Sequence, residues 1–257
     1  MILLAALALA ASIDQYRDAV RLFEQQRYTE SAQAVESALA ADPKLVDGWI
    51  LKGRLALVLG RRDVSVACFT RAAEIDPKFE NARFMLGFVH YLENDFNKAL
   101  PELEAARQLK SDDARVLFYL AMTYEGLARS DDALRYYEQA TAAESTQGRV
   151  SPDTLVAYGR LLFSLGRFSD AEQKIRAALA IEQSRDAHYE LGRLRLQARD
   201  YPGAIAEGEL AAALKSVGTT DRQVFFLLAQ AYQKAGMAAK AEEYRKRFEA
   251  SAPSLRR

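Results

Sequence analysis

The chain has 257 residues, with 35 Lys and Arg side chains against 35 Asp and Glu, one cysteine and two histidines. A formal net charge of zero counts against a nucleic-acid binder, since such proteins draw affinity from a surplus of basic residues. One cysteine excludes an intrachain disulfide framework and any zinc cluster built on cysteine pairs. Many alanines and only 6 prolines favour helices, because alanine has the lowest helix cost and proline the highest.

A strongly apolar segment, residues 1–11, opens the chain. It is too short to span a bilayer, which needs about 20 residues, so we expect no integral membrane insertion. It contains an Ala-x-Ala cleavage pattern, as export signals do, although the first basic residue is Arg17. We interpret it as a truncated signal peptide, which predicts an exported, periplasmic protein. The alternative is an apolar extension of the first helix, in a cytoplasmic protein.

The rest of the chain has an internal repeat. Pro43 and Pro77 lie in nearly identical contexts, 34 residues apart. Insertions around residues 148–151 and 219–221 shift the later repeats. The repeat domain covers residues 12–253, before a tail at 254–257 that we expect to be frayed. Its seven repeats begin near residues 12, 46, 80, 114, 152, 185 and 222.

Small and large residues occupy fixed positions in these repeats. The eighth position holds only alanine or glycine: Ala19, Gly53, Gly87, Ala121, Gly159, Gly192 and Ala229. The twenty-fourth position holds a larger apolar side chain in five repeats: Val35, Phe69, Leu103, Tyr137 and Ile175. In the sixth repeat Gly208 departs from this pattern. Small residues at constant spacing let helix backbones approach closely, while the large ones fill the space between them.

Two amphipathic segments of about a dozen residues lie in each repeat, separated by a short polar break, which predicts a pair of helices. A serine followed three residues later by glutamate or glutamine forms a capping box, which begins a helix. This spacing occurs at Ser12–Gln15 and at Ser169–Glu172. We therefore predict that one helix begins at each of these serines.

Two repeats share the same order of bulky, small and aromatic residues. The second carries Trp49, Gly53, Phe69, Ala72 and Pro77, and the fourth carries Leu117, Leu120, Ala121, Tyr124, Ala133, Tyr137 and Ala140. This order resembles the tetratricopeptide repeat family. The resemblance implies an all-α fold, a right-handed α-solenoid (superhelix) of antiparallel helix-turn-helix repeats of about 34 residues. It also implies that the first helices of the repeats line a concave groove.

Residues that carry out catalysis or bind metal are not grouped in the sequence. His90 and His188 are far apart and take packing positions of the repeat, and Cys68 lies beside the core residue Phe69. Nucleophilic catalysis needs a base within reach of the nucleophile, and a metal site needs clustered ligands. We therefore predict no catalytic residues, no metal site and no cofactor, and we expect the protein not to be an enzyme.

In the family, ligands contact certain positions of the first helix, and the resemblance transfers these positions to this chain. The predicted groove residues are Arg54, Asn81, Phe84, Phe88, Tyr91, Arg115, Phe118, Met122, Arg160 and Arg193. The aromatic residues and the methionine among them form an apolar patch in the middle of the predicted groove, as expected of a peptide-binding site. The alternative is that several of these side chains pack against adjacent helices.

Two of the predicted arginines, Arg160 and Arg193, lie in adjacent repeats, with Asp153 and Asp186 earlier on the same helix faces. Such a pair of arginines could bind a carboxylate of a peptide. The alternative is a row of Asp–Arg pairs on a solvated surface, which would contribute little binding energy.

The sequence thus predicts a non-catalytic scaffold or adaptor that binds a peptide segment or a partner protein in its groove. If the protein is exported, it would assist the assembly of complexes in a bacterial cell envelope. The alternatives are a self-associating structural repeat protein, which makes a homo-oligomer, and an accessory domain that partners an enzyme. No nucleic-acid partner is expected.

Overall fold

A computed structural model describes the backbone of residues 2–251 and the side chains of residues 10–251. The predicted frayed tail, residues 254–257, and most side chains of the apolar segment lie outside the described residues. Within the described part, the structure consists of fourteen α-helices and has no β-strand. The predicted all-α class is therefore confirmed. No helix in this part is both long enough and apolar enough to cross a membrane.

The chain divides into two units, of residues 1–136 and 137–257, and the boundary falls inside the eighth helix. The helices of unit 1 are α1 (Ile2–Glu24), α2 (Tyr28–Ala41), α3 (Val46–Val58), α4 (Arg62–Ile75), α5 (Glu80–Leu92), α6 (Phe96–Leu109) and α7 (Ala114–Gly126), followed by the start of α8 (Ser130–Thr146). The helices of unit 2 after α8 are α9 (Pro152–Ser164), α10 (Phe168–Ile181), α11 (Arg185–Gln197), α12 (Tyr201–Ala213), α13 (Asp221–Lys234) and α14 (Ala238–Ala250).

Within each unit, consecutive helices form pairs, and neighbouring pairs pack on each other. In unit 1, α1 packs on α2, α3 on α4 and α5 on α6, while the first helices α5 and α7 also contact each other. In unit 2, α9 packs on α10, α11 on α12 and α13 on α14, with contacts from α9 to α11 and from α11 to α13. Each unit is thus a stack of helix pairs whose first helices share one side of the stack.

Small residues in the first helices make room for large side chains of the second helices. A Cβ atom built on Gly53 would lie 2.4 Å from the ring of Phe69, and one on Gly159 would lie 2.7 Å from Ile175. The departure at Gly208 is compensated, since Leu228 of the next pair occupies the space 2.6 Å from that position. Glycine is required at these places by close packing rather than by backbone conformation.

Both predicted capping boxes are wrong. Ser12 lies inside α1, where its hydroxyl donates a buried hydrogen bond of 3.0 Å to the carbonyl oxygen of Ala38. The alanine- and leucine-rich segment before it favours helix, so the helix does not begin at the serine. Ser169 is likewise a residue of α10, which begins at Phe168. The structure instead forms a capping box at the start of α13, between Thr220 and Gln223.

Candidate functional site

Five aromatic rings on α5 and α7 form one cluster in unit 1, with Tyr119 at its centre. The Tyr119 ring centroid lies 4.9 Å from Phe88, 5.3 Å from Tyr91 and 5.2 Å from Phe118. It also lies 5.8 Å from Phe84, which stacks on Phe88 at 6.2 Å. These distances are typical of favourable aromatic pairs. We call these five residues the aromatic cluster.

The side chains of the aromatic cluster differ in exposure. Phe84 is 6% exposed, so it forms the floor of the cluster and is not part of the open surface that the sequence suggested. Phe88, Tyr91, Phe118 and Tyr119 are half-buried and keep part of each ring accessible. The structure therefore brings together four of the predicted groove residues through Tyr119, which the sequence analysis did not single out.

Two other predicted residues, Asn81 and Met122, flank the aromatic cluster along its helices. Asn81 lies one turn before Phe84 on α5, and Met122 lies one turn after Phe118 on α7. Both side chains are half-buried. They extend the candidate surface along the first helices of unit 1.

Arg115 lies at one end of the aromatic cluster, and its guanidinium is 4.9 Å from the ring centroid of Phe84. The same group donates a 2.9 Å hydrogen bond to the buried carboxylate of Asp113 and lies 3.9 Å from Glu80. Burial alone would raise the pKa of Asp113, but the bonds from Arg115 outweigh it and lower this pKa to about 2. Burial and the nearby Asp113 charge raise the pKa of Glu80. Arg115 thus already has acidic partners within the protein.

Arg54 lines a second candidate surface of unit 1, on α1 and α3. Its guanidinium lies 4.7 Å from the ring centroid of Phe23 and is exposed. A cavity of about 370 Å³ opens beside it, with Tyr16 and Ile50 in its wall. Arg54 lies on α3, a first helix, and its place in the predicted groove stays a prediction; the sequence did not indicate this cavity.

Arg193 has a closely similar environment in unit 2. Its guanidinium lies 4.2 Å from the ring centroid of Phe163 and 5.9 Å from that of Tyr189. These groups line a cavity of about 220 Å³ together with Phe226, a residue that is 48% exposed. The sequence analysis missed the three aromatic residues, although they occupy the same helix positions as Phe84 and Tyr91. Applying those positions to every repeat would have found them.

The acidic residues near Arg193 are arranged differently from the prediction. Arg193 donates a 2.6 Å hydrogen bond to the buried carboxylate of Glu190. Burial raises the pKa of Glu190, against the opposing charges of Arg193 and Arg160. Asp186 instead accepts hydrogen bonds from two hydroxyl groups of the α12–α13 loop. In place of the Asp186–Arg193 pair of the alternative interpretation, Arg193 thus pairs with Glu190 and Asp186 with hydroxyls of the loop.

His188 and Cys68 are held in the packing. The His188 ring lies 2.7 Å from a carboxylate oxygen of Glu207 and 3.0 Å from Gln183. Cys68 is buried, and burial raises the pKa of its thiol. Within residues 10–251, no group of three or more histidine, cysteine or acidic side chains is arranged to hold a metal ion.

Comparison with solved structures places this fold among known repeat proteins. The chain is similar to a structure of the APC/C hetero-tetramer Cut9–Hcn1, with a TM-score of 0.74 and 16% identity over 86% of this chain and 42% of that one. It is also similar to pilF of Pseudomonas aeruginosa, with a TM-score of 0.70 and 14% identity over 93% and 98% of the two chains. At these identities the likeness shows the fold alone.

Sequence comparison gives relatives that are longer than this chain. Anaphase-promoting complex subunit 3 of Schizosaccharomyces pombe is 20% identical over 83% of this chain and 31% of its own length. The chain spans between 22% and 36% of the curated relatives that it matches. Their activities and partners therefore do not transfer directly to it.

The family model for the tetratricopeptide repeat matches five overlapping segments, which together run from residue 16 to residue 219. The matched segments are 16–78, 50–114, 84–149, 118–185 and 159–219. They include the first helices that carry the aromatic cluster and Arg193. The predicted resemblance is confirmed: this chain belongs to the tetratricopeptide repeat family.

Proposed function

We propose that the protein is a non-catalytic scaffold that binds a peptide segment or a partner protein on the aromatic cluster. The observation that carries this proposal is the exposure of the cluster: four half-buried rings surround a buried floor on one side of α5 and α7. Aromatic side chains held rigidly on helices lose little entropy on binding and are enriched among the residues that dominate binding energy. A partner would insert one apolar side chain between these rings.

The family supports this proposal at the level of partner binding. The similar Cut9 structure is that of a hetero-tetramer, so a protein of this fold is found there bound to a second protein. The shared fold does not fix the partner, because proteins of one fold bind different partners through different side chains.

The experiment for this proposal uses two steps. Affinity capture from the native host first identifies the partner, and the purified partner is then titrated against Phe88→Ala, Phe118→Ala and Tyr119→Ala. We expect each substitution to weaken binding by about tenfold or more, as for a buried aromatic anchor. Leu109→Ala is the matched control, since this exposed apolar residue of the same unit lies at the end of α6. Unchanged affinity in folded variants would place the binding site elsewhere.

Export remains part of the proposal. The apolar segment at residues 1–11 supports an exported protein that assists assembly in a cell envelope, with a cytoplasmic protein as the alternative. Intact mass and amino-terminal sequencing of the protein from its native host test this point. A mature chain that begins after Ala10 would support export, and a chain that keeps the segment in the cytoplasmic fraction would contradict it.

Self-association is the second candidate, and one surface favours it. The last helix pair carries a cavity of about 360 Å³ whose wall includes Phe226, Ala229, Ala241 and Phe248. The other four lining residues are polar or charged, so a further helix that binds here would need one apolar and one polar side. Sedimentation velocity over a range of concentrations tests this, and Phe226→Ala should shift any dimer towards monomer. A strictly monomeric wild type excludes it.

A further inference from the structure

A cavity of about 480 Å³ lies in unit 2 between the end of α12 and the starts of α11 and α13, and it shares no residue with the aromatic cluster. We call it the α12–α13 cavity. Its lining is Arg185, Ala212, Ala213, Leu214, Lys215, Ser216, Thr219, Thr220, Asp221, Phe225 and Arg247. Cations, hydroxyls and apolar side chains thus line one cavity that is open to solvent and that none of the preceding functions uses.

Arg185 is the central charge of the α12–α13 cavity. Its side chain is only 5% exposed, and its Nη2 donates a 2.5 Å hydrogen bond to Asp221. Its Nε has no acceptor, although the atom is buried. A buried guanidinium with a single acidic partner is costly, and a second carboxylate beside it would remove part of that cost.

The net charge of the lining is positive. Lys215 forms no ion pair within residues 10–251, whereas Arg247 lies 2.9 Å from Glu243. Asp221 is the one acidic residue of the lining, and its side chain is 64% exposed at the edge of the cavity. An anion that enters the cavity therefore meets Arg185 and Lys215 with only one competing carboxylate.

The loop beside the cavity is held by hydrogen bonds within the protein. Ser216 and Thr219 donate hydroxyl hydrogen bonds to Asp186, and Thr220 caps α13 through Gln223. These bonds keep the charge of Asp186 engaged by the loop. A preorganised loop loses less entropy on binding than a free one.

We propose that the α12–α13 cavity binds a peptide carboxylate that lies next to an apolar side chain. The guanidinium of Arg185 and the ammonium of Lys215 bind the carboxylate, while Leu214 and Phe225 contact the apolar side chain. The carboxylate comes either from a chain terminus or from an internal acidic residue. This site is separate from the aromatic cluster, so it holds whether or not that cluster binds the partner.

The test is isothermal titration calorimetry of the full chain with three N-acetylated tripeptides. The probes are Ala-Ala-Leu with a free carboxylate, the same peptide as its amide, and Ala-Asp-Leu amide. We expect the free acid to bind at least about tenfold more tightly than its amide, because one charge-assisted contact is lost in the amide. Comparable binding of the Ala-Asp-Leu amide identifies an internal acid as the source, and its failure identifies a chain terminus. Equal binding of acid and amide, or no binding of any probe, overturns the proposal.

Variants distinguish binding in the α12–α13 cavity from nonspecific attraction of the charged probe to the protein surface. Arg185→Gln should weaken the best probe by about tenfold, and Lys215→Gln by a smaller factor that disappears at high salt. Asp221→Asn should tighten binding, since it removes the competing carboxylate. Lys234→Gln is the matched control, being an exposed lysine of the same unit outside the cavity. If Arg185→Gln fails to fold, Lys215→Gln and Asp221→Asn still test the proposal. Unchanged affinity for the best probe in both variants overturns it. Tighter binding of inorganic phosphate than of any peptide also overturns it.

Discussion

Units 1 and 2 repeat one contact and surround it with different surfaces. In each unit an arginine lies over a phenylalanine of the preceding first helix: Arg54 over Phe23 at 4.7 Å, and Arg193 over Phe163 at 4.2 Å. In unit 1 the first helices that follow α3, namely α5 and α7, carry the aromatic cluster. In unit 2 the surface beside Arg193 has instead a cavity of about 220 Å³, and the buried carboxylate of Glu190 lies next to it. The position in the repeat thus determines where a side chain points, and the residue type determines what that side chain can bind.

A second feature is the same in both units. In unit 1, Tyr124 and Tyr136 donate hydrogen bonds of 3.0 and 2.8 Å to Glu104, at separations of 20 and 32 residues. In unit 2, Tyr232 and Tyr244 donate bonds of 2.8 Å to Glu209, at separations of 23 and 35 residues.

The two tyrosines stack in each case, with ring centroids 5.3 and 5.6 Å apart. Both separations are longer by three in unit 2, which is the length of the insertion around residues 219–221. The insertion is therefore accommodated in the loop without disturbing the contact between helix pairs.

The largest expected effect tests whether the two cores are equivalent. Phe69 and Ile175 are both fully buried against a glycine of the first helix, so Phe69→Ala should cost about 3–5 kcal/mol and Ile175→Ala about 2–5 kcal/mol. Urea unfolding measures both, with the single tryptophan, Trp49, reporting on unit 1 and circular dichroism on the whole chain.

The exposed neighbours Thr70→Ala and Arg176→Ala are the controls for this pair, and each should change the free energy of unfolding by less than about 0.5 kcal/mol. A loss below about 1 kcal/mol in either core variant would contradict the equivalence of the two cores.

The prediction of intermediate size is that the stability of unit 1 depends on pH through Asp113. The folded pKa of Asp113, about 2, lies below the unfolded value of about 3.9. Its carboxylate therefore stabilises unit 1 above about pH 4, and this contribution of about 1–2 kcal/mol is lost as the pH falls towards 2. The first helices α11 and α13 of unit 2 are capped instead by the hydroxyls of Ser184 and Thr220, which do not titrate in this range.

Asp113→Asn should lower the free energy of unfolding at pH 7 and reduce the further decrease of this free energy between pH 7 and pH 3. Trp49 fluorescence during urea unfolding at both pH values measures this. Asp112→Asn, at the exposed neighbouring position, is the matched control. If the free energy of unfolding of Asp113→Asn decreases between pH 7 and pH 3 as much as that of the wild type, other carboxylates dominate acid unfolding.

The smallest expected effect concerns the shared tyrosine contacts. Glu104→Gln and Glu209→Gln keep an acceptor but lose its charge, so each should cost about 1 kcal/mol. Equal losses of thermal stability in the two variants would support one common contact, while a loss in only one unit would contradict it. Glu102→Gln, whose partner is Arg83 in the same helix pair, provides a comparison with a half-buried ion pair.

Much of the fold could be read from the sequence because its contacts are local. Gly53 and Phe69 lie in one repeat, so a 34-residue period reveals both the small position and the large residue that fills it. The site was less accessible to the same reasoning. Phe88, Tyr91 and Phe118 were placed on one face, but Tyr119 was missed, because its central place depends on how α5 packs beside α7.

Sequence alone determined the helical class, the pairing of helices and the side of each pair that carries Phe88 and Phe118, since these follow from periodicity and from neighbours along the chain. Only the tertiary structure decided that Phe84 is a covered floor, that Asp186 binds loop hydroxyls, and that Arg185 is buried in a cavity with an unused donor. Burial and charge pairing depend on atoms brought together from different helices, and a one-dimensional pattern does not specify those distances.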